Sequence, residues 1–83
     1  MNWKLLSYAL RSKQRREIIL VLEKPKTPTQ IAHDTKLSVA HVSRTLKEFS
    51  QKELAKCLTP HEKVGRVYQL TDKGKEVLRN LKK

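Results

Sequence analysis

Apolar positions recur at helical spacing in several stretches of the chain, and the spacing changes once. Trp3, Leu5, Leu6, Tyr8, Ala9 and Leu10 form a short apolar segment that predicts a helical stretch within residues 1–11. Ser12 then offers an N-cap, and Ile18, Ile19, Val21 and Leu22 give residues 13–23 one helical face to bury. Pro25 and Pro28 end that helix and impose extended backbone. Thr29 is the next candidate cap, ahead of a short helix that carries Ile31, Ala32 and Thr35. Lys36, Leu37 and Ser38 break the chain again, and Ser38 can cap a third helix that reaches Gln51. At about 100° per residue, Val42, Leu46 and Phe49 fall in a narrow arc with Val39 beside them. Ala40, Arg44, Lys47 and Gln51 fall opposite, flanked by His41 and Glu48. That helix has one stripe for a core and another that is polar and partly cationic.

After Gln51 the period shortens to that of strands. Residues 54–59 and 66–70 are strand candidates, and PHEKVG between them supplies the turn residues Pro60 and Gly65. The segment 54–70 therefore predicts a β-hairpin with a charged tip. Thr71 can cap a last helix over 71–82, with Val77, Leu78 and Leu81 on one face; Gly74 predicts a ragged first turn. No repeat, linker or low-complexity tract interrupts the chain, and 83 residues fit one domain, 1–83. The fold class expected is mainly α with a small β-hairpin (α+β). Its order is α-α-α-β-β-α after a short N-terminal helical segment, with two helices and a tight break at 29–51 and the hairpin behind them. That is the layout of a winged helix-turn-helix.

Charge sharpens this picture. Nineteen Lys and Arg face eight Asp and Glu, for a formal net charge of +11. Residues 1–16 hold Lys4, Arg11, Lys13, Arg15 and Arg16, and the first acid is Glu17. Such an excess suits a polyanion, because neutralising phosphates releases condensed counterions. Ribosomal proteins, membrane-surface binders and merely soluble lysine-rich surfaces share it. Cys57, the only cysteine, cannot close an internal disulfide and reads as a small strand hydrophobe in a reducing compartment. No apolar run approaches the roughly 18–20 residues that span a bilayer. MNWKLLSYALRSKQRR has no signal-peptide core. A cytoplasmic protein with no membrane partner is expected. P-loop, dinucleotide, nucleophile-elbow and paired-carboxylate patterns are all missing from the sequence, so no enzyme and no cofactor are expected. His33, His41 and His61 sit on separate elements, so no metal site is expected either, and no small-molecule effector is evident.

These segments also carry a resemblance. TPTQIAHDTKLSVAHVSRTLKEFSQKEL resembles the helix-turn-helix of small archaeal and bacterial winged-helix regulators of the broad MarR and ArsR-like kind. GRVYQLTDKGKEVL is similar to their second wing strand and following helix, and LRSKQRREIILVL to the first helix of small archaeal members. The match runs over about residues 7–81. It implies a sequence-specific transcriptional regulator that binds double-stranded DNA, with helix 38–51 in the major groove and wing 60–66 on the backbone or in the minor groove. One position departs from the pattern: the turn residue often held by Gly is Lys36.

The candidate contacts follow from side-chain chemistry. A major groove about 12 Å wide admits one helix whose outer face is free of core residues. Ala40, His41 and Arg44 are candidates for base edges. Arg44 can pair with guanine O6 and N7, or meet a phosphate. His41 can donate to a base or phosphate, or stay solvated. Ser38 can cap the helix or hold a phosphate. Ser43 and Lys47 suit the DNA backbone, and Thr29 and Gln30 can offer helix N-terminal amides to phosphate. His61, Lys63 and Arg66 on the wing can lie along the backbone, enter the minor groove, or form a solvated loop. Lys13, Arg15 and Arg16 extend the phosphate footprint or make one solvated face. Trp3, Leu6, Tyr8 and Leu10 pack on their own core or on a second copy; a homodimer is expected, since two-fold symmetry matches palindromic half-sites. Two alternatives stand beside this reading: a low-specificity chromatin or architectural protein, and a winged-helix protein-interaction module of the transcription machinery.

Overall fold

The computed structural model describes residues 3–82; residues 1, 2 and 83, the ends of the expected segment 1–11 and domain 1–83, lie outside it. Along the described residues run α1 (Trp3–Leu10), α2 (Lys13–Val21), α3 (Pro28–Thr35), α4 (Val39–Gln51), β1 (Ala55–Cys57), β2 (Tyr68–Leu70) and α5 (Asp72–Leu81). The architecture is the α+β arrangement read from the sequence, a helical body with a two-stranded antiparallel wing.

Local chemistry explains most boundaries. Ser12 caps α2, its hydroxyl accepting the Arg15 amide at 3.3 Å. The cap of α3 is Thr27 rather than Thr29. Thr27 Oγ1 accepts the Gln30 amide at 3.2 Å, and Gln30 Oε1 accepts the Thr27 amide at 2.9 Å, a reciprocal capping box. Pro28 is the reason: with no N–H and a preset φ it fits the first helical position, so the helix begins at Pro28 itself. The extended stretch before it also serves the wing. Lys26 donates to Tyr68 at 3.0 Å and Tyr68 to Lys26 at 2.8 Å, an isolated bridge that ties the α2–α3 connection to β2.

Lys36 ends α3 in the left-handed region, at φ 61° and ψ 26°. A β-carbon is disfavoured there, so Lys36→Gly is expected to stabilise the fold by about 0.5–1 kcal/mol, the left-handed penalty less the extra freedom of an unfolded glycine. Urea unfolding would check it; a loss of stability would contradict it.

Ser38 caps α4, its hydroxyl accepting the His41 amide at 3.1 Å. Val42, Leu46 and Phe49 are fully buried, as the stripe predicts. Val39 is not with them: it is 46% exposed, at the rim of a cleft between α4 and the wing. Thr45 completes the buried face, its hydroxyl donating to the His41 carbonyl at 3.0 Å. The core gathers buried apolar side chains from every helix, with Leu54, Ala55 and Leu70 from the wing base.

The strands are shorter than expected. The ladder pairs Ala55 with Leu70, Lys56 with Gln69 and Cys57 with Tyr68. Residues 58–67 form a loop, pinned where Leu58 donates to the Val67 carbonyl (2.7 Å) and Val67 donates to Thr59 Oγ1 (3.0 Å). The charged tip has no apolar face to bury against the body, so pairing stops where burial stops.

Gly74 corrects another expectation. The first turn of α5 is firmly capped: Thr71 Oγ1 accepts the Gly74 amide at 3.1 Å and donates to the Glu53 carbonyl. Gly74 is buried, and a β-carbon there would fall on the Leu54 carbonyl oxygen. The glycine permits close approach of α5 to the α4–β1 junction. Gly74→Ala is therefore expected to destabilise by about 1–3 kcal/mol through overpacking, against the gain of about 1 kcal/mol that alanine brings to a free helix. Thermal or urea unfolding decides the sign.

Candidate nucleic-acid interface

The outward face of α4 carries Ala40, Ser43, Arg44, Lys47 and Gln51, all exposed, with His41 half-buried. The Ser38 hydroxyl caps the helix by accepting the His41 amide, and its own proton remains able to donate. Two hollows flank this face. One opens toward the wing and is bounded by Thr29 of α3, Val39, Ser43 and Lys47 of α4, and Lys63 and Arg66 of the wing. The other opens toward the start of α2 and gathers Ser12, Arg15, His41, Arg44, Thr45 and Glu48. The fold thus brings Thr29, Ser43, Lys47, Lys63 and Arg66 around one cleft, and Arg15, His41 and Arg44 around the other.

Several predicted contacts have intramolecular partners. The Gln30 side chain belongs to the capping box. Arg66 Nε donates to the Glu62 carbonyl at 2.6 Å, which restrains the wing tip; His61 and Lys63 project beside it, exposed. Lys13, largely solvated, lies 4.0 Å from the half-buried Glu17 one turn on. Arg16 donates to the Leu10 carbonyl at 2.5 Å, at the end of α1. Arg15 is more deeply engaged. It donates to the Tyr8 carbonyl at 2.9 Å, stacks 3.9 Å above the Tyr8 ring, and lies 4.0 Å from Glu48.

The N-terminal apolar group divides likewise. Leu6 and Tyr8 pack on the chain's own core, whereas Trp3 and Leu10 are 71% and 49% exposed. The Tyr8 ring meets Phe49 edge-on at 6.1 Å, and its hydroxyl donates to Glu48 Oε1 at 2.6 Å. Glu48 is the only acid of α4. Held by Tyr8 and Arg15, its charge is partly neutralised and drawn toward α1.

Burial, then the hydrogen bond and charge of Glu48, push the Tyr8 phenol from 10.0 up to about 12. A folded-state pKa above the unfolded one means a contribution complete below the unfolded value and lost as pH rises through the folded one. Stability is therefore expected to fall between pH 10.0 and about 12. An ultraviolet phenolate titration should show a late component that Tyr8→Phe removes; an unchanged curve in that variant would refute the assignment.

Three features escaped the sequence reading: Val39 and Val64 as exposed apolar side chains, and the Tyr8–Arg15–Glu48 cluster. Val64 is 87% exposed at the wing tip. The cluster joins residues 40 positions apart, for which no local pattern exists. Among the described residues, no group of three or more His, Cys, Asp or Glu is placed to hold a metal ion, and no helix is long and apolar enough to cross a membrane.

A capped helix with a free polar face, crossed by a second helix and flanked by a charged hairpin, defines a winged helix-turn-helix. Solved structures share it. The chain superposes on the adhesin competence repressor AdcR from Streptococcus pyogenes with a TM-score of 0.76 at 16% identity, covering 86% of this chain and 55% of that one. Lactococcus lactis ZitR in complex with DNA gives 0.74 at 27% identity, with 83% and 49% covered. The transcriptional repressor CouR bound to a 23-mer DNA duplex gives 0.72 at 22%, with 84% and 51% covered. The chain spans about half the length of these structures. No family model and no curated protein matches the sequence.

Proposed function

We propose that the protein is a sequence-specific transcriptional regulator that binds double-stranded DNA, with α4 in the major groove and the wing tip on the adjacent backbone or minor groove. One observation carries this reading. The face of α4 that is free of the core holds Ala40, Ser43, Arg44 and Lys47, shares a cleft with Lys63 and Arg66, and has its one acid tied back to α1. Neighbours of the same fold that are bound to DNA support it.

In this reading Ala40, His41 and Arg44 meet base edges. Ser43, Lys47, the α3 start at Thr29 and Gln30, and His61, Lys63 and Arg66 meet the backbone. Lys13 and Arg16 border the footprint, and Arg15 supports it from behind through Glu48. Trp3 and Leu10, exposed on α1, are proposed contacts of a homodimer, whose formation sedimentation of Trp3→Ser against the parent would test.

Arg44→Ala is expected to cost about 1–3 kcal/mol on a selected duplex and little on random DNA. Lys63→Ala should weaken both alike and flatten the salt slope by about one unit. Fluorescence anisotropy on the two duplexes checks this; equal losses from Arg44→Ala would remove its base-reading role. The +11 charge favours one second reading, an architectural protein that coats DNA with little specificity.

A further inference from the structure

The exposed side chains of α4 are polar or charged except at its leading end, where Val39 and Ala40 stand together. Val39 lines the cleft between α4 and the wing beside Pro28, Val64 and Tyr68, and neither it nor Ala40 is buried by the chain's own core. Val39 is 46% exposed and lies outside the buried stripe of Val42, Leu46 and Phe49. Valine is a mediocre helix former, and solubility favours a charged residue at an exposed first turn. In a chain of net charge +11, whose free helix face is otherwise Ser43, Arg44, Lys47 and Gln51, the pair is an exception that asks for a ligand with an apolar feature.

We infer that Val39, with Ala40 beside it, reads the 5-methyl group of thymine in the major groove. The inference rests on the DNA-binding reading above and names the base that its leading turn selects. Of the four base pairs, only those with thymine present a methyl group in the major groove, and apolar side chains are its natural contacts. The N-terminal residues of a recognition helix are those that reach base edges. The first turn of α4 is also held in place. The Ser38 hydroxyl accepts the His41 amide at 3.1 Å, and the Ser38 carbonyl accepts the Val42 amide at 3.0 Å. A β-branched side chain on a capped turn has essentially one χ1 rotamer, so Val39 is a rigid apolar knob. Ser43 and Lys47 line the same cleft and can take the phosphates, which leaves Val39 free of any ionic task.

The test uses the full chain and a duplex selected from a random library. Each thymine of the selected site is replaced in turn by deoxyuridine, which removes only the methyl group. At one or two positions per half-site the substitution should weaken binding about fourfold, the factor that burial of one methyl-sized group supplies. Val39→Ser should bring that ratio to about one and Val39→Ile should keep it, with helical circular dichroism confirming that both variants fold. Equal affinity of the parent protein for thymine and uracil duplexes would overturn the inference. So would discrimination that survives in Val39→Ser, or a library that enriches no sequence while binding persists. Absence of binding to any duplex at low salt would instead overturn the DNA-binding reading, and this inference with it.

Discussion

Truncating Phe49 to alanine is expected to cost about 3–5 kcal/mol of folding free energy. A chain of 83 residues has little more than that in reserve, so the variant should be largely unfolded. Phe49 is fully buried near the end of α4. Its ring takes the edge of Tyr8 from α1, and its carbonyl accepts the Leu54 amide at 2.8 Å as the chain turns into the wing. The space it vacates is walled by helices that are themselves fixed by caps, so collapse can recover only part of the loss. Leu58→Ala, at a side chain that is 43% exposed, should change stability by less than about 0.5 kcal/mol and serves as the control. Urea unfolding followed by circular dichroism measures both. A Phe49→Ala cost below about 1 kcal/mol would mean that α4 is not anchored as the structure shows.

The second large effect is on binding. If Lys13, Arg16, Lys47, Lys63 and Arg66 each neutralise one phosphate, affinity should follow salt with a log–log slope of about −4.5 per chain, a loss of about 500-fold between roughly 50 and 200 mM. Two copies on one duplex would double the slope. The estimate leaves out Arg15, whose guanidinium is held between Tyr8 and Glu48. Anisotropy titrations across that salt range supply the slope. A value shallower than about −2 would detach the basic residues of the N-terminal helices and the wing from the footprint.

The helical part of this fold was legible because its signals are local. Caps at Ser12, Ser38 and Thr71 precede periodic apolar stripes, and the structure keeps all three. The Thr27 cap was legible as well: a threonine with Pro28 next and Gln30 three positions on is a capping-box signature, but Thr29 drew the reading past it. Val39 belongs to the apolar arc by angle and leaves it by position, since a first-turn residue can lie beyond the reach of the helix packed against its stripe. Gly74 has the opposite character. Its sequence context shows only a weak helix former, whereas its purpose, contact with the Leu54 carbonyl, depends on a residue 20 positions away. The interface was legible in part for the same reason. Ala40, Arg44 and Lys47 follow from the helical wheel, but the withdrawal of Arg15 and Glu48 toward Tyr8 is a tertiary event.

Whether α4 and the wing read a DNA sequence is measured by the ratio of affinities for a library-selected duplex and for random DNA at about 0.15 M salt. Sequence readers exceed their own non-specific affinity by about 10³ or more. A ratio of that size is expected, reduced by Arg44→Ala and left intact by Lys63→Ala. A ratio near one would contradict sequence-specific binding and establish the protein as a coat for DNA rather than a reader of it.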